Sequence, residues 1–357
     1  MVDLGESEIE VVLLNLDGDV ASLMRASLVN TIWNRVSCLP VLWSRVRWPP
    51  ALPITDAPLL RLLALSADSI VYFDLSVPSD GDDPESMLRS PSALCWEWSL
   101  EGLRSGLSPE TISHIIGTSA PGLRDIRFSW GGISGSHVLS SLTTCARLTR
   151  LDLANSSLEN EHLSSLSAVL QKTPMLTHLD LCANELSQAH TLPLDLCSQL
   201  RWLGLCMNGL SLAPASLAAL TSLTLLLLGG NALEEVPASL RQLRNLVELD
   251  LGSNQIYHIP PWITQLSALR VLGLRSASLR HAPPNNPATD AHSVFPDLSC
   301  LPLRELDLSD CDLRDGPSVS WLAHIHTLES LDLSDNHLHS LPGASYPPIK
   351  KKKRLCS

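Results

Sequence analysis

The hydrophobic positions of this chain recur with neither the period of a long helix nor the simple alternation of a long strand. In LTHLDLCANEL (176–186), Leu occupies the first, fourth, sixth and eleventh places and Asn the ninth. The same spacing returns in LRWLGLCMNGL (200–210), LTLLLLGGNAL (223–233), LVELDLGSNQI (246–256) and LESLDLSDNHL (328–338). Five matches to an eleven-residue pattern make the repeat the unit of the fold. Counted from the first Leu, units begin at Leu123, Leu148, Leu176, Leu200, Leu223, Leu246, Leu269, Leu303 and Leu328. Side chains of a strand alternate, so in Leu-Asp-Leu the two leucines face one way and the residue between them the other. Leu179 and Leu181 therefore face in and Asp180 out. A single coil cannot bury its Leu face alone, whereas stacked coils share a continuous core and a parallel sheet.

A second register supports the first. Pro lies fourteen residues after the repeat start at Pro214, Pro237, Pro260, Pro283, Pro317 and Pro342. After Pro214 and Pro237 the chain runs ASLAALTSL and ASLRQLRNL, which predicts a short helical or 3-10 turn on the back of each coil. The unit that begins at Leu148 instead carries ENEHLSSLSAVLQKTPM, long enough for an α-helix. Departures sit at the Asn place: Gly131, Ser156, Ala277 and Cys311.

This spacing resembles that of the leucine-rich-repeat superfamily, strongly over 123–340. The resemblance implies an α/β solenoid, a curved stack with a parallel sheet on its concave face and short helices or 3-10 turns on its convex face. It further implies that Asn184, Asn208, Asn231, Asn254 and Asn336 sit where the chain leaves the strand. There their amides would bond backbone groups of adjacent coils that would otherwise be buried unpaired. It also implies that the outward strand residues form a partner-binding surface, about nine strands and roughly 40 Å wide.

The remaining chain divides by composition. Residues 1–59 read as an N-terminal helical cap or small module, with Met24, Leu28, Ile32 and Val36 four apart in an amphipathic segment at 22–36. Residues 60–122 read as degenerate repeats in phase with Leu60, with a polar loop at 76–92. Residues 123–343 hold the repeats, with an insertion near 281–294 rich in Pro, Asn and Asp. Residues 344–357 form a basic tail.

The outward positions change in character along the chain. The first units offer Arg124, Asp125, Arg127, Trp130, Arg150, Asp152, His178 and Asp180. The middle units offer Trp202, Cys206, Met207, Leu225 and Leu227, of which Trp202, Met207, Leu225 and Leu227 would expose an apolar patch. The last offer Glu248, Asp250, Arg275, Glu305, Asp307, Asp310, Glu329, Asp332 and Asp335, an acidic end suited to a basic partner. The competing reading is a solvated face, since Asp between two strand leucines is routine in such repeats.

A net charge of −12 argues against nucleic acid as the main partner. No stretch reads as a transmembrane segment or a secretory leader, and the nine cysteines lack paired spacing. They read as reduced thiols of a cytoplasmic or nuclear protein. No nucleotide loop, nucleophile elbow or metal-ligand spacing occurs, so neither an enzyme, a cofactor nor a metal is expected. His324, His326, His337 and His339 read as loop histidines. Lys350, Lys351, Lys352, Lys353 and Arg354 read as a nuclear localisation signal, with a membrane-surface anchor beside Cys356 as the alternative. The expected function is a non-enzymatic adaptor, scaffold or regulatory subunit that binds a protein partner. The alternatives are a ubiquitin-ligase substrate receptor and a tight enzyme inhibitor resembling ribonuclease inhibitor.

Overall fold

The computed structural model describes residues 45–47, 72–74, 113, 116–117, 123–127, 136–277, 279, 296–314 and 317–339. The amphipathic segment at 22–36, the polar loop at 76–92, the insertion at 281–294 and the basic tail lie outside the described residues. Among the described residues, two compact units meet in sequence between Asp180 and Leu181.

The first unit contains five strands: β1 (Arg45–Arg47), β2 (Tyr72–Asp74), β3 (Asp125–Arg127), β4 (Arg150–Asp152) and β5 (His178–Asp180). They pair in parallel and in sequence order, with Val46, Phe73, Ile126, Leu151 and Leu179 in one central row. The backs of two coils are helical, α1 (Ser136–Leu142) and α2 (Leu163–Lys172). Helix α2 is the one foreseen in the longer unit. It buries Leu163, Leu166, Val169 and Leu170 on a single face. Its entry is fixed by a 3-10 turn over Asn160–His162, where the Glu159 backbone N–H donates to His162 Nδ1 at 3.0 Å. Strand β2 stands in the phase of Ile70 (IVYFDL); residues 59–70, read in the phase of Leu60, lie outside the described residues. Strand β1 falls within the segment read as a helical cap.

The second unit contains β6 (Trp202–Gly204), β7 (Leu225–Leu227), β8 (Glu248–Asp250), β9 (Val271–Gly273), β10 (Glu305–Asp307) and β11 (Ser330–Asp332). These also pair in parallel and in order. Leu203, Leu226, Leu249, Leu272, Leu306 and Leu331 form the central row, and all but Leu331 are buried. The proline register gives 3-10 turns at Ala215–Ala219, Ala238–Gln242 and Pro261–Gln265. Proline suits the entry to each turn because its fixed φ is pre-set and its missing N–H is one the turn would leave unpaired.

The turn after each strand is the point the fold has to solve. The residue seven places after the repeat start adopts a left-handed backbone in coil after coil: Asn155, Ala183, Met207, Gly230, Ser253, Ser276, Asp310 and Asp335. In five of these eight turns the next residue is the regularly spaced Asn, and its side chain closes the turn. Asn231 is buried. Its Nδ2 donates to the carbonyls of Leu228 at 2.8 Å and Gly229 at 3.4 Å in its own coil, and of Leu205 at 2.9 Å in the preceding one. Its Oδ1 accepts from the backbone N–H of Asn208 and Leu210, both at 3.0 Å. Asn208, Asn254 and Asn336 repeat this bridging, and Asn184 donates to Leu181 and Cys182. Cys311 takes the place of Asn with a single donor, its thiol reaching the Leu274 carbonyl at 3.0 Å. Burial pushes that thiol up to about 12, so it stays protonated and able to donate.

Asn231→Ala removes this set and leaves buried backbone groups on two coils unpaired. The expected loss is about 2–4 kcal/mol in urea unfolding, against about half that for Cys311→Ala, whose side chain makes fewer bonds. Equal losses would contradict this account.

Candidate functional site

The outward face of the second unit consists of two rows, one from the first residue of each strand and one from the third. The first row runs Trp202, Leu225, Glu248, Val271, Glu305, Ser330; the second runs Gly204, Leu227, Asp250, Gly273, Asp307, Asp332. Trp202, Leu225, Glu248, Glu305, Asp307 and Asp332 are half-buried, as side chains shoulder to shoulder on a sheet should be. Met207 stands 43% exposed in the turn after β6. Trp202 and Leu225 are therefore paired across β6 and β7, and Met207 is exposed five residues on from Trp202.

Three expected members are not available to a partner. Leu227 is 2% exposed, Cys206 3% and Asp250 4%. Leu227 lies in register between Gly204 of β6 and Asp250 of β8. Cys206 lies beyond the strand, where the chain turns toward the neighbouring coil, and its N–H donates to Cys182 Sγ at 3.3 Å. Burial of Asp250 follows from the glycines around it. An added Cβ would lie 2.6 Å from its Oδ2 at Gly229, and 3.2 and 2.7 Å from its Oδ1 at Gly252 and Gly273. The Gly252 N–H donates to Oδ1 at 2.9 Å.

The aspartates of the second row share a structural task. Asp307 and Asp332 each accept, at 2.9 Å, the N–H of the residue two places on, Ser309 and Ser334. Both serine hydroxyls also donate to them, at 2.6 and 2.7 Å. Asp152 does the same for Ala154 at 3.1 Å in the first unit. Such a side chain terminates the strand by standing in for a turn. Sequence reasoning treated these residues only as surface charge and missed this contact, although the recurring Asp-x-Ser would have signalled it.

Electrostatically the face is strained. Burial pushes the Asp250 carboxyl up to about 6; its bond from Gly252 opposes this and the nearby Asp307 adds to it. Burial, with Glu305 beside it, also raises Glu248. Trp202 adds a different deficit: its indole Nε1–H is buried and without an acceptor, a cost of about 1–3 kcal/mol. Arg275, expected on this face, is exposed two residues after β9. No group of three metal-ligating side chains occurs among the described residues, and none of their helices is long and apolar enough to cross a membrane. His337 faces Asp312 at 3.1 Å.

The Leucine Rich Repeat family model matches residues 245–266 and 327–346. The two matched segments are leucine-rich repeats. Both matched segments begin within one residue of a repeat start, Leu246 and Leu328, and contain an Asn of the bridging series, Asn254 and Asn336. Among curated proteins, none matches this chain in sequence. Among solved structures it is similar to an internalin, InlF of Listeria monocytogenes, at 20% identity and a TM-score of 0.47, covering 66% of this chain and 67% of that one. Internalin C2 of the same organism aligns at 21% identity and a TM-score of 0.43, over 64% and 84% of the two chains. A leucine-rich-repeat protein of Leptospira interrogans aligns at 18% and 0.35, over 74% and 90%.

Three substitutions test the local physics. Gly273→Ala should destabilise by about 1–3 kcal/mol because its methyl meets the Asp250 carboxylate. Most of that loss should vanish in an Asp250→Gly background; simple additivity of the two would show that the contact is not the cause. The Asp250 carboxyl has a folded pKa above its ordinary value of 3.8, so protonation favours the fold. Its penalty is absent well below pH 4, grows as pH rises through about 6, and is then worth on the order of 2–3 kcal/mol. The Tm advantage of Asp250→Asn over wild type should therefore widen from pH 4 to pH 7; an advantage independent of pH would refute the assignment. Trp202→Phe removes the orphan donor and should leave Tm unchanged or raised.

Proposed function

We propose that this chain is a non-enzymatic interaction module, an adaptor or regulatory subunit that holds a protein partner against the outward sheet face of its second unit. The carrying observation is the half-exposed pair Trp202 and Leu225 on the sheet face, with Met207 exposed in the turn after β6, beside an anionic surface. Soluble proteins spend buried area on apolar groups and leave a Trp and a Met together at the surface chiefly where something binds. The orphan indole N–H adds a donor that a partner carbonyl could satisfy once the ring shifts. The other exposed apolar residues, Met175, Leu196 and Leu212, lie on other coil segments and need no such explanation. The sheet fixes the cluster on rigid backbone, so little order is lost when a partner docks.

Localisation in the cytoplasm or nucleus, and a role for the basic run at 350–354 in nuclear import, belong to the same proposal. The sequence carries them.

The test is affinity capture from native lysate with wild type and with Leu225→Asp/Met207→Ser, both checked for native Tm. A partner held by wild type and lost by the folded variant supports the reading. Identical captured sets would contradict it and move the interaction to another surface.

A further inference from the structure

Resting on that reading of the face as a protein-binding surface, we propose that its partner is a basic segment with an apolar anchor. The anchor sits on Trp202, Leu225 and Met207, and Lys or Arg side chains lie across β8, β10 and β11. The two outward rows of the second unit carry five acids in twelve positions, four of them accessible and Asp250 buried, and no Lys, Arg or His. The acids are all on β8, β10 and β11, and the half-exposed Trp202 and Leu225 are on β6 and β7, so the two ends of the face differ in character.

The strand-ending contact of the aspartates does not explain this charge. Asn would accept the same N–H without a charge, since it presents the same Oδ1. Glu248 and Glu305 lie in the other row, where no such contact is made. Like charges at this spacing oppose one another, and Glu305 adds to the burial that raises the Glu248 carboxyl. Arg304 at the strand edge is already turned to Glu329, at 3.3 Å. A bound cation would relieve the repulsion.

A single metal ion does not fit this arrangement. Strands β8 to β11 are about 4.8 Å apart, so the acids spread over roughly 15 Å. An extended peptide spans that distance and brings the apolar group in the same molecule. Nucleic acid and anionic lipid carry the wrong sign. The acids would steer encounter and set orientation, while the apolar end supplies the buried contact.

The experiment is selection of a displayed random dodecapeptide library on the purified full chain. The best-enriched peptide is then titrated by fluorescence anisotropy at two salt concentrations. The proteins are wild type, the charge variant Glu305→Gln/Asp307→Asn/Asp332→Asn and the apolar variant Leu225→Asp. The Asn substitutions keep the acceptors for Ser309 and Ser334, and Tm is measured for each protein. The expected result is peptides of net positive charge that contain an aromatic or aliphatic residue. Affinity for the charge variant should fall about tenfold or more, with a weaker salt dependence. Spermine, which has the charge but no anchor, should bind about tenfold more weakly than the peptide. Enrichment of neutral or acidic peptides, equal affinity for the charge variant, or spermine binding as tightly as the peptide would overturn the inference. Loss of binding in the apolar variant alone would overturn the basic-partner inference and leave the docking face standing. No enrichment on wild type, or no loss in either variant, would remove both.

Discussion

A coil of this chain has to reverse direction where each short strand ends, and it does so with its backbone polar groups facing a core without water. The buried Asn at that point supplies what the water cannot. Asn231 alone connects carbonyls and N–H groups of two successive coils. An unsatisfied group there costs about as much as a whole hydrogen bond contributes. The leucine core and the parallel pairing both presuppose this closure, because neither forms unless successive turns come into register. Thr149, Thr177 and Thr224 add a smaller fastener, each hydroxyl donating to a carbonyl of the previous coil.

That closure leaves the outward sheet positions with little structural duty, which is what lets them carry function. The core rows are Leu almost throughout. The outward rows vary from Trp to Gly to Glu. The one charged residue of the outward rows drawn into the fold is Asp250. It became buried because three glycines give way around it, and its raised pKa shows the cost. Function is therefore assigned to those outward groups that no contact within the fold explains: Trp202, Leu225, Met207, Glu248 and Glu305.

Much of this architecture was legible in the sequence because repetition converts weak local signals into one strong one. Leu spacing placed strands β3 to β11, the Pro spacing placed the 3-10 turns, and the longer unit gave α2. The role of the Asn residues also followed. The strands β1 and β2 were not found, since Val46 and Phe73 stand where Leu would have marked the phase. Candidate face residues were less legible. Alternation tells which side a residue leaves the strand but not whether a neighbour leaves space for it. Gly229, Gly252 and Gly273 around Asp250 decided its burial through contacts between coils. The fate of Cys206 was decided by a turn rather than by strand alternation.

The central claim is that a protein partner docks on the outward sheet face of the second unit. Hydrogen exchange with mass spectrometry, on the full chain alone and with a captured partner, addresses it directly. The account predicts added protection in segments spanning 200–210, 223–233 and 246–256, with 214–220 and 237–243 on the backs of the same coils unchanged. Protection confined to the backs, or to the first unit, would contradict it.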